Sequence, residues 1–129
     1  MARVALVLMT ALLLSACGKS DEAQTPEDPA LMAQGAQTFR LICSTCHNLT
    51  DPSNGTGPYL VHLKGRKAGS VAGFAYTDAM RNAGVVWDEA TLGSFLADPS
   101  AFIPGTAMVI EPLSDPQTRK ALVHYLTHQ

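Results

Sequence analysis

Cys43-Ser44-Thr45-Cys46-His47 is the stretch that carries the most information about this 129-residue chain. Its spacing, Cys-x-x-Cys-His, is the attachment signature of a c-type haem. The two thiols can add to the vinyl groups of a haem, and the adjacent imidazole is left facing the iron. Without the histidine, a Cys-x-x-Cys pair is also typical of zinc sites and of dithiol redox sites. The pentapeptide therefore predicts one covalently bound haem c, attached at Cys43 and Cys46, with His47 as an iron ligand.

The first 16 residues have the composition of an export signal. An apolar run extends from Val4 to Leu14 with a single threonine inside it. A membrane-spanning helix needs about 20 such residues, so the run suits a secretory signal peptide instead. It ends in Leu14-Ser15-Ala16-Cys17, which resembles a bacterial lipoprotein cleavage box. We therefore expect a lipoprotein signal peptide over residues 1–16 and acylation of Cys17. The alternative is an ordinary signal peptide with this cysteine merely nearby.

The number of cysteines agrees with a lipidated leader followed by a haem-binding domain. There are three cysteines, and with two bound to haem and Cys17 bound to lipid none remains for a disulfide. Residues 18–28 contain four acidic residues and no aromatic or β-branched aliphatic side chain, so they cannot bury a core. We expect residues 17–28 to be a lipidated cysteine followed by a flexible acidic tether, and residues 29–129 to fold.

Charge in the folded part is balanced, with seven Lys and Arg and seven Asp and Glu from Ala30 onward. The sequence has neither a basic stripe nor interleaved aromatic and basic residues, so nothing in it suggests nucleic acid as a partner. A domain of roughly one hundred residues has a marginal core, which a buried cofactor would help to stabilise. We expect this domain to be a monomer.

Helix signals dominate the domain, and no alternating strand pattern is convincing. Asp28-Pro29 and Asp115-Pro116 each place a capping residue before a proline at the first helical position. Apolar or small residues recur at helical spacing behind each pair. Behind the first they are Met32, Gly35, Phe39 and Ile42, and behind the second Leu122, Tyr125 and Leu126.

The chain between these two helices is richer in loops. Residues 50–73 contain many Gly, Pro, Ser and Asn residues and predict a loop. A short helix is expected over residues 77–83, ending at Gly84. Asp88 can cap another, which Pro99 would stop. The pattern predicts a mostly helical domain whose long loops wrap around a haem.

The second axial ligand decides whether the iron carries electrons or binds small molecules. Met108 is the best candidate, because Pro104 and Gly105 place it in a turn-rich loop that could cross the far face of the haem. Its thioether favours ferrous iron and raises the reduction potential. His62 is the rival ligand. Met32 and Met80 lie in predicted helices and are expected to fill the core. His124 and His128, near the C-terminus, are expected at the surface.

The segment from about Met32 to Leu126 resembles class I cytochrome c, particularly the mitochondrial-type and related bacterial forms. Several motifs agree in order along the chain: Cys43-Ser44-Thr45-Cys46-His47, Gly57-Pro58-Tyr59-Leu60, Gly65-Arg66-Lys67-Ala68-Gly69, Phe74-Ala75-Tyr76-Thr77-Asp78-Ala79 with Trp87, and Pro104-Gly105-Thr106-Ala107-Met108. The resemblance implies an all-α class I cytochrome c fold, with about four to five helices wrapped around one covalently bound haem. Residues 29–129 would be the cytochrome c domain, in which Gly35 and Phe39 pair with Leu122 and Tyr125.

The resemblance also implies roles for residues around the haem. The carbonyl of Pro58 would accept a hydrogen bond from His47, which orients the imidazole and raises its basicity. Arg66 would lie near a haem propionate, and Tyr76 and Trp87 would bond the propionates. Alternatively, Tyr76 and Trp87 are ordinary core aromatic residues and Arg66 is an ordinary solvated charge.

Four positions depart from the family pattern. Ala107 replaces a frequent lysine, Phe95 a frequent tyrosine, Met80 a common asparagine and Ile110 a frequent aromatic residue. Phe95 cannot donate a hydrogen bond to the methionine sulfur, so we expect an altered potential or a differently held Met108 loop. Without the lysine at 107, docking should depend less on charge than in strongly basic relatives.

These observations predict a membrane-tethered monohaem electron carrier rather than an enzyme. By resemblance, its donor would be a quinol-oxidising complex or a dehydrogenase, and its acceptor a terminal oxidase or another reductase. A haem-based gas sensor or peroxidase-like enzyme with a labile sixth ligand is the first alternative, and a thiol redox protein without haem is the second. We expect the periplasmic side of a bacterial membrane, with the cytoplasmic membrane preferred over the outer membrane.

Overall fold

The computed structural model describes residues 28–129. This part of the chain folds into five α-helices and a π-helical turn, and it contains no β-strand. The bounds are α1 Pro29–Thr38, α2 Asp78–Asn82, α3 Glu89–Ala97, α4 Pro99–Phe102 and α5 Pro116–Thr127, with the π-helical turn at Phe39–Cys43. None of the described helices has the length and apolar character to cross a bilayer. The predicted signal peptide, the acylation of Cys17 and nearly all of the tether lie outside the described residues. The all-α prediction is confirmed.

The predicted cap residues begin three of the helices. The side chain of Asp28 accepts hydrogen bonds from the backbone of Ala30 and Leu31 at the start of α1. Asp115 does the same for Thr118 at the start of α5. Asp88 and Thr91 form a reciprocal capping box at the start of α3. Local side-chain chemistry thus sets where these helices begin.

Helix α1 leads into the π-helical turn, which the sequence did not predict. The backbone N–H of Ser44 donates to the carbonyl of Phe39 at 3.0 Å, a bond that spans five residues. Phe39 and Cys43, at the two ends of the turn, are buried, whereas Leu41 and Ile42 between them are exposed. The turn therefore directs the first cysteine of the motif inward and leaves Leu41 largely exposed to solvent.

The first and last helices pack closely, as the sequence predicted. A β-carbon at Gly35 would overlap the carbonyl oxygen of Ala121 and the β-carbon of Tyr125. The rings of Phe39 and Tyr125 pack beside this crossing with their centroids 6.0 Å apart. Leu122 on α5 is fully buried. Glycine at position 35 is what lets the two backbones approach.

One helix boundary was only partly predicted. Pro99 follows the end of α3, as expected, but it also begins the four-residue helix α4. The side chain of Asp98 accepts a hydrogen bond from the backbone of Ala101 and caps this new helix. An Asp-Pro pair starts a helix here as it does at α1 and α5.

Two loop segments that are distant in sequence are joined by backbone hydrogen bonds. Trp87 donates to the carbonyl of Arg66 at 2.9 Å, and Gly65 donates to the carbonyl of Trp87 at 2.7 Å. A third bond joins the N–H of Ala68 to the carbonyl of Val85. This pairing places Arg66 and Trp87 side by side, and both line a central cavity.

Candidate haem site

A central cavity of about 430 Å³ is enclosed by the helices and loops. Its lining includes all four residues that the sequence predicts for covalent attachment and axial ligation: Cys43, Cys46, His47 and Met108. Much of the remaining wall is apolar, including Leu63, Leu92, Phe95, Leu122 and Leu126. A cavity of this size in a domain of about one hundred residues is far larger than the voids that close packing leaves. Two thiols, an imidazole and a thioether around an apolar cavity fit a c-type haem.

The imidazole of His47 is held in one orientation by two neighbours. Its Nδ1 atom lies 2.7 Å from the carbonyl oxygen of Pro58 and donates a hydrogen bond to it. A β-carbon at Gly57 would stand 2.7 Å from Nδ1 and 2.8 Å from Nε2, so only glycine leaves room for the ring. Burial lowers the pKa of His47, and the bond to Pro58 partly opposes that shift. The ring is therefore neutral at neutral pH, with Nε2 free to bind a metal.

The buried thiol of Cys43 is unsuited to reactive dithiol chemistry. Burial and, to a lesser extent, the neighbouring Cys46 raise the pKa of the Cys43 thiol to about 11. Reactive cysteines have a lowered pKa, because the thiolate is the nucleophile. Neither cysteine forms a disulfide. Within residues 28–129, no group of three or more His, Cys, Asp and Glu side chains is placed to hold a metal ion. A zinc ion at Cys43 and Cys46 would therefore have no third protein ligand.

Met108 and His62, the rival candidates for the second axial position, lie in different environments. Met108 is partly buried and lines the same cavity as His47. Its backbone N–H donates to Oγ1 of Thr106 at 3.2 Å, and Gly105 turns the loop with φ of 93°. His62 is exposed, with φ of 50°, and it does not line the cavity. The structure therefore brings Met108, and not His62, to the cavity.

The predicted propionate-binding residues also line the cavity. Arg66 donates from Nη2 to the carbonyl of Tyr59 at 3.0 Å, and its guanidinium carbon lies 5.1 Å from the centre of the Tyr59 ring. Burial raises the pKa of Tyr76, while a backbone hydrogen bond from Val71 and the positive charge of Arg66 oppose the shift. Trp87 is buried, with its ring 5.2 Å from that of Phe95. These residues give one part of an apolar cavity a cationic and hydroxylic character, which suits the carboxylates of a haem.

Some details of the site were not apparent from the sequence. The stacking of Arg66 on Tyr59 depends on a loop conformation, and the sequence offered only an aromatic residue beside Pro58. Met80 is buried in the core, as predicted, and it also lines the cavity. His124 and His128 are partly buried, against the expectation of surface positions. Their rings stack with centroids 4.2 Å apart, and Nε2 of His124 is buried without a hydrogen-bond partner in the described part.

The amino-acid sequence of this chain is similar to those of known proteins. Cytochrome c2 iso-2 of Magnetospirillum molischianum is 44% identical to the chain over 85 residues, which cover 66% of this chain and 88% of that protein. The chain belongs to the class I cytochrome c family. Cytochrome c2 of Rhodomicrobium vannielii is 43% identical over 97 residues, which cover 74% of this cytochrome and 77% of that protein. No protein-family model matches the chain.

A solved structure supports the same assignment. Cytochrome cH from Methylobacterium extorquens superposes with a TM-score of 0.70 at 39% sequence identity, covering 76% of this cytochrome and 98% of the solved chain. The class I fold predicted from the motifs is thereby confirmed. As a member of this family, the cytochrome binds one covalent haem c and carries electrons, and it is not an enzyme.

Proposed function

We propose that Cys43 and Cys46 form the two thioether bonds to the haem and that His47 and Met108 are its axial ligands. The observation that supports this most strongly is the convergence of all four side chains on one cavity. His47 reaches it with Nε2 free, because Nδ1 is used by the carbonyl of Pro58. Pro58 orients His47, and Arg66, Tyr76 and Trp87 receive the propionates. The haem supplies a one-electron couple, and these residues hold it and keep water from the iron.

The proposed cellular role is a monohaem carrier tethered to a bacterial membrane on its periplasmic side. Acylation of Cys17 would provide the anchor, and the acidic residues that follow would keep the haem domain at a short distance from the bilayer. A quinol-oxidising complex or a dehydrogenase would donate the electron, and a terminal oxidase or another reductase would accept it. Tethering raises the effective concentration at such membrane partners. We prefer the cytoplasmic membrane, because respiratory complexes of this kind reside there.

The optical spectrum of the reduced protein, recorded with and without carbon monoxide, tests the ligand assignment. Retention of Met108 gives a low-spin c-type spectrum that the gas does not change. Met108→Ala should open the sixth position and allow an adduct to form, whereas Met32→Leu, at a methionine outside the cavity lining, should not. An adduct formed by the unaltered protein would instead favour a gas sensor or peroxidase-like enzyme. Haem staining on a denaturing gel, lost when both Cys43 and Cys46 are replaced by alanine, tests the covalent bonds.

The anchor needs a separate experiment. The full-length protein should partition into membranes when expressed in a bacterium, and Cys17→Ser should release the haem domain into the periplasmic fraction. Separation of the two membranes by density then assigns the location. Equal membrane association of the two proteins would contradict acylation at Cys17, with no bearing on the haem site.

A further inference from the structure

Two histidines lie one helical turn apart at the end of α5, and neither has a part in the proposed haem site. His124 belongs to the helix and His128 is its C-terminal cap residue, four positions further along the chain. Their rings stack with centroids 4.2 Å apart and planes inclined by 27°. Neither residue lines the haem cavity. Two histidines at this spacing lie on one face of a helix, which is how paired imidazoles bind zinc in proteins.

The hydrogen bonds of His128 decide which of its ring nitrogens is able to bind a metal ion. Nδ1 lies 2.9 Å from the backbone carbonyl oxygen of His124. A carbonyl oxygen can only accept a hydrogen bond, so Nδ1 carries the proton and donates it. In the neutral ring, Nε2 therefore keeps its lone pair. Histidines that bind metals almost always donate their other ring N–H to a carbonyl or a carboxylate in this way.

His124 presents a ring nitrogen that has no protein partner. Its Nε2 atom is buried and makes no hydrogen bond within the described part of the chain. Such atoms are few in folded proteins, and a bound water or ion is one of the usual reasons for them. Burial and the neighbouring His128 lower the pKa of His124, and the negative charges of Glu89 and Asp28 oppose that shift only in part. The ring is therefore neutral at neutral pH, the form that binds metals.

The surroundings of the pair suit a cation. Oε1 of Glu89 lies 3.9 Å from Nε2 of His128 and 3.4 Å from Nζ of Lys64. Because this carboxylate also pairs with the lysine and is half exposed, we count it as a nearby negative charge and not as a ligand. The pair lies at the C-terminal end of α5, where the backbone carbonyls carry partial negative charge. A groove of about 400 Å³, lined by Glu89, Lys120 and His124, leads to it.

We propose that His124 and His128 together bind one divalent transition-metal ion, with water completing its coordination. Imidazole nitrogen suits Zn²⁺, Ni²⁺ and Cu²⁺, and of these a site with nitrogen ligands binds Cu²⁺ most tightly. Mg²⁺ is not bound, because it prefers oxygen ligands. Two protein ligands agree with the absence of any group of three over residues 28–129. The inference does not depend on the proposed function, since the pair lies outside the haem cavity.

The test is a titration of the reduced haem protein with Zn²⁺, which is diamagnetic and does not exchange electrons with the iron. All samples carry Cys17→Ser, so that no thiol outside the haem motif competes for the metal. We expect the side-chain nitrogen resonances of His124 and His128 to shift together and to saturate at one equivalent. Those of His62, an exposed histidine, should not shift. Mg²⁺ at the same concentration should leave all three unchanged.

Calorimetric affinities of single variants show whether both rings are ligands. His124→Gln and His128→Gln should each weaken Zn²⁺ binding about tenfold or more, since each removes one of two ligands. His62→Gln is the matched control and should bind as the parent does. Saturating Zn²⁺ should also raise the midpoint of thermal unfolding in the parent and in His62→Gln, because a ligand that binds the folded state stabilises it. That rise should be lost in the other two variants.

Several results would overturn the proposal. They are the absence of Zn²⁺-dependent shifts, shifts confined to one of the two rings, and equal affinity in all three variants, which would indicate adventitious binding to scattered surface groups. A protein that keeps its covalent haem and its reversible one-electron couple but binds no Zn²⁺ would remove this inference alone. Absence of the haem or of the couple would bear on the proposed function and not on the histidine pair.

Discussion

The imidazole of His47 rests directly on the backbone of Gly57. A β-carbon at residue 57 would stand 2.7 Å from Nδ1 and 2.8 Å from Nε2, and these distances are shorter than any normal carbon contact. The same ring is tied to the carbonyl of the next residue, Pro58, at 2.7 Å. The Gly57-Pro58 pair therefore fixes the proposed proximal ligand from two directions, by contact and by hydrogen bond.

Gly57→Ala should displace the imidazole and break its bond to Pro58. We expect the haem protein to lose about 1–3 kcal/mol of unfolding free energy from overpacking and to bind carbon monoxide more readily. Urea unfolding and the reduced spectrum under the gas measure the two effects. Gly93→Ala is the control, because a β-carbon there meets nothing within 4 Å. A variant with unchanged stability and spectrum would contradict the tight contact between residue 57 and the His47 ring.

Gly35→Ala should weaken the packing of α1 on α5. The added methyl group overlaps the backbone of Ala121 and the side chain of Tyr125, so the helices must move apart. We expect a loss of about 1–3 kcal/mol or more in urea unfolding. Gly93→Ala in α3 is again the matched substitution and should gain up to about 1 kcal/mol, since alanine has the higher helix propensity. Equal stability of the two variants would contradict the close helix crossing.

Phe95→Tyr tests whether the missing hydroxyl affects Met108. Phe95 is buried, lines the cavity and packs against Trp87 and Phe102. A hydroxyl there can donate to the methionine sulfur, so we expect a shifted reduction potential and a Met108 ligand that is retained to higher pH. Voltammetry and optical pH titration measure these. Phe102→Tyr, outside the cavity lining, should change neither. The idea fails if Phe95→Tyr leaves both unchanged.

Stability should depend on pH through His124. Burial lowers its pKa below the ordinary value of 6.5, and the neighbouring His128 lowers it further. The unfolded chain therefore binds a proton more readily than the folded one, so His124 supports stability above about pH 6.5 and loses that contribution as the pH falls. Thermal unfolding between about pH 7.5 and 5 should show a shallower dependence in His124→Gln. His62→Gln, at an exposed histidine, is the control. An unchanged slope in His124→Gln would mean that other groups dominate.

The parts of the fold that the sequence predicted are those governed by local chemistry. Asp28, Asp88 and Asp115 each cap a helix through bonds to backbone groups two or three residues away. Such interactions can be recognised from neighbouring residues alone. Asp98 shows the limit of that reasoning. Because Pro99 was interpreted only as a stop signal, the helix that begins there was missed.

The remaining features depend on contacts between distant segments. The pairing of Gly65 and Arg66 with Trp87 joins two loops that have no strand pattern. The partial burial of His124 depends on how α5 packs, and its sequence neighbours give no sign of it. The placement of Met108 and Cys43 in one cavity was predicted from the Cys-x-x-Cys-His motif and from the turn-rich loop around Met108, and not from periodicity. The resemblance supplied the expected roles of Pro58, Arg66, Tyr76 and Trp87, which local patterns could not.

The backbone bonds between residues 65–68 and 85–87 close a loop of the chain at its base, with α2 inside it. A loop fixed at both ends can change length at modest entropic cost, because the closure term grows only slowly with the number of residues. Extra residues beside Gly84, an exposed glycine between α2 and residue 85, would then leave Arg66 and Trp87 in register at the cavity. This turn is where the chain could gain length during evolution while keeping its redox site.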